Sequence, residues 1–194
     1  ISAIIKTMEL VEVSAEDFIE DESSYIVLSR NGWIRKFKSQ VISDSLKFKA
    51  NDSLLAMTNS NAKDLIVIFT TFGMCYVQRA FNFPYTRGGF GEPIQNLFKF
   101  KDDEKPLHLL ALNMEGLRKE SGLITGTSSS NSDNQTSLNF KSFSDSSIES
   151  VIVSDAGYGF RFPLSNLAET TRSGRKIMSL KEGERMVAIS LIQG

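Results

Sequence analysis

Residues able to do covalent or metal chemistry are few in this chain. Its 194 residues include one histidine, His108, and one cysteine, Cys75. A closed zinc site needs several His or Cys ligands at set spacing, and neither a His pair nor a Cys pair exists to start one. Ser-His-Asp chemistry would rest on His108 alone, which stands among Leu107, Leu109 and Leu110 in an apolar run. A sheet-face histidine fits that run better than a general base, and His108→Ala would separate the two. Cys75 lies in an alternating segment and reads as a small core residue rather than a nucleophile. A lone cysteine forms no internal disulfide, which fits a reducing compartment. The adjacent acids Asp102 and Asp103 fall in a charged turn, where solvation is the default. No hydrolase or transferase site emerges.

The stronger constellation is basic and aromatic. Arg35, Lys36 and Lys38 follow Trp33, Lys47 and Lys49 flank Phe48, and Lys99 and Lys101 flank Phe100. Arg172, Arg175 and Lys176 cluster further on, with Lys181 nearby. Alternate residues of a strand share a face, so each Lys-Phe-Lys triplet is expected to be a strand with its lysines outward and its Phe packed. Repeated along the chain, such lysines would form one basic rim suited to a bent phosphate backbone. The plainer reading is that lysines on strand faces discourage edge-to-edge aggregation. Between the clusters runs Thr86-Arg-Gly-Gly-Phe-Gly-Glu-Pro93. Its glycines permit positive φ and close backbone approach, so the loop could offer N–H groups and Arg87 to a phosphate. It has neither the P-loop spacing nor the dinucleotide fingerprint.

The elements that must position these groups repeat. Tyr25 to Phe37, Leu65 to Val77 and Ser150 to Phe162 each read as an apolar strand, a turn ending in Gly, and a second strand. The turn glycines are Gly32, Gly73 and Gly157. The first gap is 41 residues, and the second is 84. Subtracting a polar insertion at about 117–149 leaves a period near the roughly 40–50 residues of a propeller blade. Each unit has a second half, Leu46 to Ala56, Leu97 to Ala111 and Ile177 to Ala188, expected to be a strand pair around a charged turn. Four strands per unit is the make-up of a blade. The expected fold is therefore all-β, a propeller-like array of about three four-stranded blades. Their bounds are about 25–64, 65–116 and 150–194.

Composition agrees with a β fold. Fourteen Phe favour sheets, and no apolar run is long enough for a membrane-spanning helix. The start, Ile1-Ser-Ala-Ile-Ile-Lys, reads as the cut end of a longer chain rather than a signal peptide. Net charge is −1, but it is unevenly spread. Residues 1–24 hold one Lys against seven acids, whereas residues 25–113 hold twelve Lys and Arg against seven acids. The segment 1–24 is expected to be an acidic linker or the tail of a preceding domain, with phosphate mimicry as an alternative use of its acids. The Ser/Asn-rich stretch within 117–149 lacks the apolar content to offset ordering, so a mobile surface loop is expected there.

Four segments carry a family resemblance. Leu28-Ser-Arg-Asn-Gly-Trp-Ile-Arg35, Lys47-Phe-Lys-Ala-Asn-Asp-Ser-Leu-Leu-Ala56, Arg87-Gly-Gly-Phe-Gly-Glu-Pro93 and Ser154-Asp-Ala-Gly-Tyr-Gly-Phe160 resemble the carboxy-terminal domain of the A-type (ParC) subunit of bacterial topoisomerase IV. The corresponding gyrase A domain is a more distant match. The resemblance covers about 25–190, apart from the insertion. It implies a β-pinwheel whose blades exchange strands and whose positive outer rim binds and bends duplex DNA. In the intact type IIA topoisomerase that would guide the transported segment during decatenation and supercoil relaxation. Carried over by position, the rim candidates are Arg35, Lys36, Lys38, Lys47, Lys49, Arg79, Arg87, Arg172, Arg175 and Lys176. The resemblance further implies a bacterial, cytoplasmic, chromosome-associated protein. Its partners would be the B-type subunit of topoisomerase IV and a second A-type subunit, with no membrane partner. No cofactor is expected for this chain; ATP and Mg²⁺ would act elsewhere in the holoenzyme.

Three departures from the family pattern bear on function. Family members carry five or six blades, and about three are visible here. The gyrase box Gln-Arg-Arg-Gly-Gly-Lys-Gly has at best Thr86-Arg-Gly-Gly-Phe-Gly91 in its place, so gyrase-like introduction of negative supercoils is not expected. The breakage-reunion core has no counterpart, and Tyr25, Tyr76, Tyr85 and Tyr158 sit in strands or turns, so this chain is not expected to cleave DNA. The runner-up reading is a propeller-like protein-interaction scaffold whose basic rim serves solubility or an acidic protein.

Overall fold

A computed structural model describes residues 19–20, 22–113, 149–167 and 169–192. Most of the acidic head and nearly all of the polar insertion lie outside the described residues. Eleven strands and four short 3-10 turns make up the described structure, with no α-helix among the described residues.

Each unit starts as a hairpin. β1 (Ser23–Ser29) turns into β2 (Trp33–Phe37), β4 (Leu65–Thr70) into β5 (Met74–Arg79), and β8 (Glu149–Ser154) into β9 (Gly159–Pro163). The turns close identically. The N–H groups of Gly32, Gly73 and Gly157 donate to the carbonyls of Ser29, Thr70 and Ser154 at 3.1, 3.1 and 3.0 Å. All three glycines have φ between 68° and 82°, the left-handed value that a three-residue hairpin loop requires at its last position.

The second halves differ from the expected strand pairs. Only their later parts are strands: β3 (Leu54–Asn61), β7 (Pro106–Leu112) and β11 (Met186–Ile192). Residues 46–49 and 99–101, which hold the Lys-Phe-Lys triplets, are irregular. Their alternation is not used in a ladder. It ends at a tight turn in which Asn51 and Asp103 take φ near 60°, with Gly183 at 86° in the third unit. The N–H groups of Asp52, Glu104 and Glu184 close these turns onto the carbonyls of Lys49, Lys101 and Lys181.

Strands pass between neighbours. β6 (Glu92–Pro93), from the second unit, pairs with β2, and β10 (Thr171–Lys176), from the third, pairs with β5. The sheets therefore run β3-β1-β2-β6, β10-β5-β4-β7 and β11-β8-β9. The third sheet has three strands among the described residues, one fewer than expected. β3 meets β7 and β7 meets β11, so these strands form the inner edge, and β6, β10 and β9 stand at the opposite edges of the three sheets.

The core fills the two gaps between sheets. Ile66, Ile68 and Tyr76 pack against Ile26, Leu28 and Ile34 of the first sheet. Leu65, Val67, Phe69, Cys75 and Val77, from the opposite face, pack against Ile152, Leu164, Leu167 and Met186 of the third unit. The middle sheet is covered on both sides, which is why β4 reads Leu-Ile-Val-Ile-Phe without polar interruption and is buried throughout. β8 alternates buried with half-buried residues because one face alone is covered. Successive units dock through isoleucine. The N–H groups of Ile94 and Ile177 donate to the Gly32 and Gly73 carbonyls at 2.8 and 2.9 Å, and both side chains are buried.

Candidate nucleic-acid interface

The outer edge of the middle sheet is the most cationic strand among the described residues. β10 reads Thr-Arg-Ser-Gly-Arg-Lys, and Arg172, Arg175 and Lys176 are all exposed. Gly174 lets this strand lie close against β5: a Cβ there would stand 2.7 Å from the Tyr76 ring. The Lys99 N–H donates to the Arg172 carbonyl at 3.1 Å, which brings a further exposed lysine alongside. Arg175 is partly engaged, donating to the Asn166 carbonyl and pairing with Glu169 at 3.4 Å. Arg172 and Lys176 have no ion pair among the described residues.

On the first sheet the outer segment is held differently. Thr86 N–H donates to the Lys36 carbonyl at 2.9 Å, and Tyr85 bridges to Lys36. At Gly91 the chain crosses β2 so closely that a Cβ would sit 2.2 Å from the Ile34 carbonyl oxygen. Between these anchors Arg87, Gly88, Gly89 and Phe90 are exposed. Pro84, Tyr85, Thr86, Arg87 and Glu92 line a shallow open depression of about 200 Å³ here. The Gly-rich loop thus presents Arg87 outward, while its neighbour Glu92 makes this edge less positive than β10.

Two expected rim residues lie inside. Arg35 is 6% exposed and Lys36 is 4% exposed. They are adjacent on β2 and so face opposite ways, but both faces are covered. The Arg35 guanidinium lies 5.0 Å from the Phe48 ring and 5.8 Å from that of Phe37. Lys36 Nζ donates to the Ala80 carbonyl at 2.8 Å and lies 4.4 Å from the centre of the Tyr85 ring. Burial lowers the pKa of both groups. Both side chains are buried against aromatic rings, so neither is placed as an outward-reaching cation of the rim. Arg79 is half-buried, its Nη1 donating to the Lys63 carbonyl at 2.9 Å.

Lys38, Lys47 and Lys49 are exposed. Lys49 Nζ lies 3.4 Å from the Trp33 ring centroid, a cation–π contact that fixes its position. Lys38 is paired with Glu22 at 2.8 Å. Tyr85, missed as a site residue in the sequence, contacts the same carboxylate, its hydroxyl 2.8 Å from Glu22 Oε2. Its signal was an aromatic immediately before Thr86-Arg-Gly-Gly. The ten candidates therefore divide. Arg87, Arg172, Arg175 and Lys176 stand on the two outer segments, with Lys38 beside the first of them, and Arg79 is half-buried at the end of β5, turned to the Lys63 carbonyl. Lys47 and Lys49 belong to the loop before β3, and Arg35 and Lys36 to the interior.

The other chemistry-bearing residues are structural. Cys75 is fully buried, and burial pushes its thiol up to about 11. His108 sits on β7 opposite Phe69, and burial lowers its pKa. No group of three His, Cys, Asp or Glu residues placed to hold a metal occurs among the described residues.

Comparison with known proteins matches this architecture. The family described as DNA gyrase C-terminal domain, beta-propeller, matches residues 64–113 and 151–193, the second and third units. The A-type subunit of DNA topoisomerase 4 from Salmonella typhimurium is 27% identical over 186 residues, covering 95% of this chain and 20% of that protein. The A-type subunit of DNA gyrase from Streptococcus pyogenes is 26% identical over 196 residues, covering 96% of this chain and again 20% of that protein. The chain thus spans about a fifth of the curated relatives it matches. Among solved structures, the E. coli ParC C-terminal domain aligns with a TM-score of 0.62 at 25% identity, over 89% of this chain and 58% of that one. A crystal structure of the C-terminal domain of DNA topoisomerase IV aligns with a TM-score of 0.65 at 17% identity, over 89% of this chain and 46% of that one, a likeness of fold. With its exchanged strands and repeated hairpins, the chain has the fold of the carboxy-terminal domains of topoisomerase IV, and its second and third units match the family described as DNA gyrase C-terminal domain, beta-propeller.

Proposed function

We propose that this domain is a non-catalytic module that binds and bends duplex DNA without sequence preference, as part of a type IIA topoisomerase. The observation that carries this is the outermost strand β10, with Arg172, Arg175 and Lys176 exposed together. Clustered exposed cations along a strand edge suit phosphates, which carry charge but no sequence information. Arg87 on the neighbouring outer segment extends the same edge. A duplex following both segments would have to curve around the array, at a bending cost offset by added phosphate contacts. Within the ParC-type subunit of topoisomerase IV, such a surface guides the transported segment during decatenation and supercoil relaxation. Cleavage, ATP and Mg²⁺ belong to other parts of that enzyme, reached through the B-type subunit and a second A-type subunit. The setting is the bacterial cytoplasm, at the chromosome.

The test is duplex affinity across a salt series, with unrelated sequences of equal length. A steep fall of affinity with salt, equal for all sequences, supports the proposal. Absence of binding at low salt overturns it in favour of a protein-interaction scaffold.

A further inference from the structure

One anion is already seated on the basic edge of the first sheet, and it belongs to the chain itself. Glu22 stands immediately before β1. Its Oε1 accepts from Lys38 Nζ at 2.8 Å, and its Oε2 accepts from the Tyr85 hydroxyl at 2.8 Å. Both carboxylate oxygens are therefore held, by donors from segments 47 residues apart in sequence. Tyr85 organises the site from beneath. Lys36 Nζ and Lys38 Nζ lie 4.4 and 5.0 Å from its ring centre. The backbone bond from Thr86 N–H to the Lys36 carbonyl fixes the ring against β2, and exposed Arg87 follows. Lys38 and Tyr85 hold the Glu22 carboxyl below its usual range, with Lys36 adding a smaller attraction, so the group is anionic at neutral pH.

We propose that Lys38 and Tyr85 form a backbone-phosphate site for duplex DNA, and that Glu22 occupies it as a competing anion when DNA is absent. The proposal rests on the DNA-binding reading above. A phosphodiester presents two non-bridging oxygens, and two donors converging on a carboxylate can take them instead. Glu22 is free to withdraw. It precedes the ladder, which begins with Ser23 opposite Asn61, so its departure breaks no strand pairing. An exposed pair of this kind is weak, which suits a contact that a polyanion must displace. The acidic head would thereby tune affinity at the edge leading to Arg87, leaving β10 unaffected.

Fluorescence anisotropy of a labelled duplex with the full chain tests this. Glu22→Gln is expected to bind about two- to fivefold more tightly, since an exposed ion pair no longer has to be broken. Its salt dependence should steepen by less than the roughly 0.9 of a full phosphate contact, because in the parent salt also loosens the Glu22–Lys38 pair that the duplex must displace. Glu20→Gln makes the same change in net charge at an exposed neighbour and should have a smaller effect. Adding Tyr85→Phe to Glu22→Gln should remove much of the gain, because the hydroxyl then serves the phosphate. Inorganic phosphate at fixed ionic strength should compete poorly; full displacement of the duplex by millimolar phosphate would identify a free-phosphate site instead and overturn the duplex assignment. Equal gains from Glu20→Gln and Glu22→Gln, or none from Glu22→Gln, overturn the competition while the parent's duplex binding stands. Failure of every variant to bind duplex at low salt overturns the DNA-binding reading itself.

Discussion

Neutralising the outermost strand should change how DNA binding responds to salt, by an amount that can be worked out beforehand. The perturbation is Arg172→Gln with Lys176→Gln, two exposed residues on β10 without an ion pair among the described residues. Each phosphate contact contributes about 0.9 to the slope of log affinity against log salt, so losing two should flatten the slope by about 1.8. A fourfold rise in salt, from about 50 to about 200 mM, weakens binding about 3.5-fold per contact. The double variant should therefore lose about twelvefold less affinity over that interval than the parent. Arg35→Met is the control, because that guanidinium is buried against Phe37 and Phe48 and offers no outward charge. Anisotropy at four or five salt concentrations reads both slopes, and circular dichroism confirms that each variant is folded. An unchanged slope in the double variant would refute the assignment of β10 to the interface. A slope flattened equally by Arg35→Met would refute the argument that burial removes a cation from it.

Other consequences follow from the packing. Ile94→Ala should cost about 2–5 kcal/mol in urea unfolding, the range for a large-to-small change in a core, since Ile94 is fully buried between the first two sheets. Ile42, the residue before the corresponding 3-10 turn of the first unit, is 71% exposed, and Ile42→Ala should shift the unfolding midpoint little. Glu104 is buried and accepts from Thr70 Oγ1 at 2.6 Å, Tyr76 OH at 3.0 Å and Lys101 N–H at 2.8 Å. Glu104→Ala should cost about 1–3 kcal/mol for each donor left without a partner or water, read by thermal melting. Stability should also fall with alkali through Cys75. Its thiol ionises at about 9 when unfolded and about 11 when folded, so the contribution is whole below pH 9 and lost as pH rises to 11. Two units correspond to roughly 2–3 kcal/mol, and Cys75→Ala should flatten the loss across that window.

The hairpins were legible because everything they need is local. An apolar run, a Gly able to take positive φ and a second strand lie within a dozen residues, as at Leu65 to Val77. Cys75 correctly read as core, whereas the cover on both faces of β4 emerged only from the packing of the three sheets. The Lys-Phe-Lys triplets misled because alternation records which side chains are paired by chemistry, not whether a ladder exists. Phe98 and Phe100 lie beside the Tyr76 ring, 5.4 and 4.6 Å between centroids, from irregular backbone just ahead of a turn.

What residue types and spacing determined on their own was the repeat, the all-β class and the number of hairpins, since local backbone preference and apolar pattern suffice for those. What tertiary structure alone decided was which charges face outward. Arg35 and Lys36 have the composition of a rim, yet the segment that covers Lys36 begins about fifty residues later, and β10 reaches β5 from beyond the polar insertion. Charge pattern specifies which residues would prefer water; only the crossing of distant segments specifies whether water reaches them.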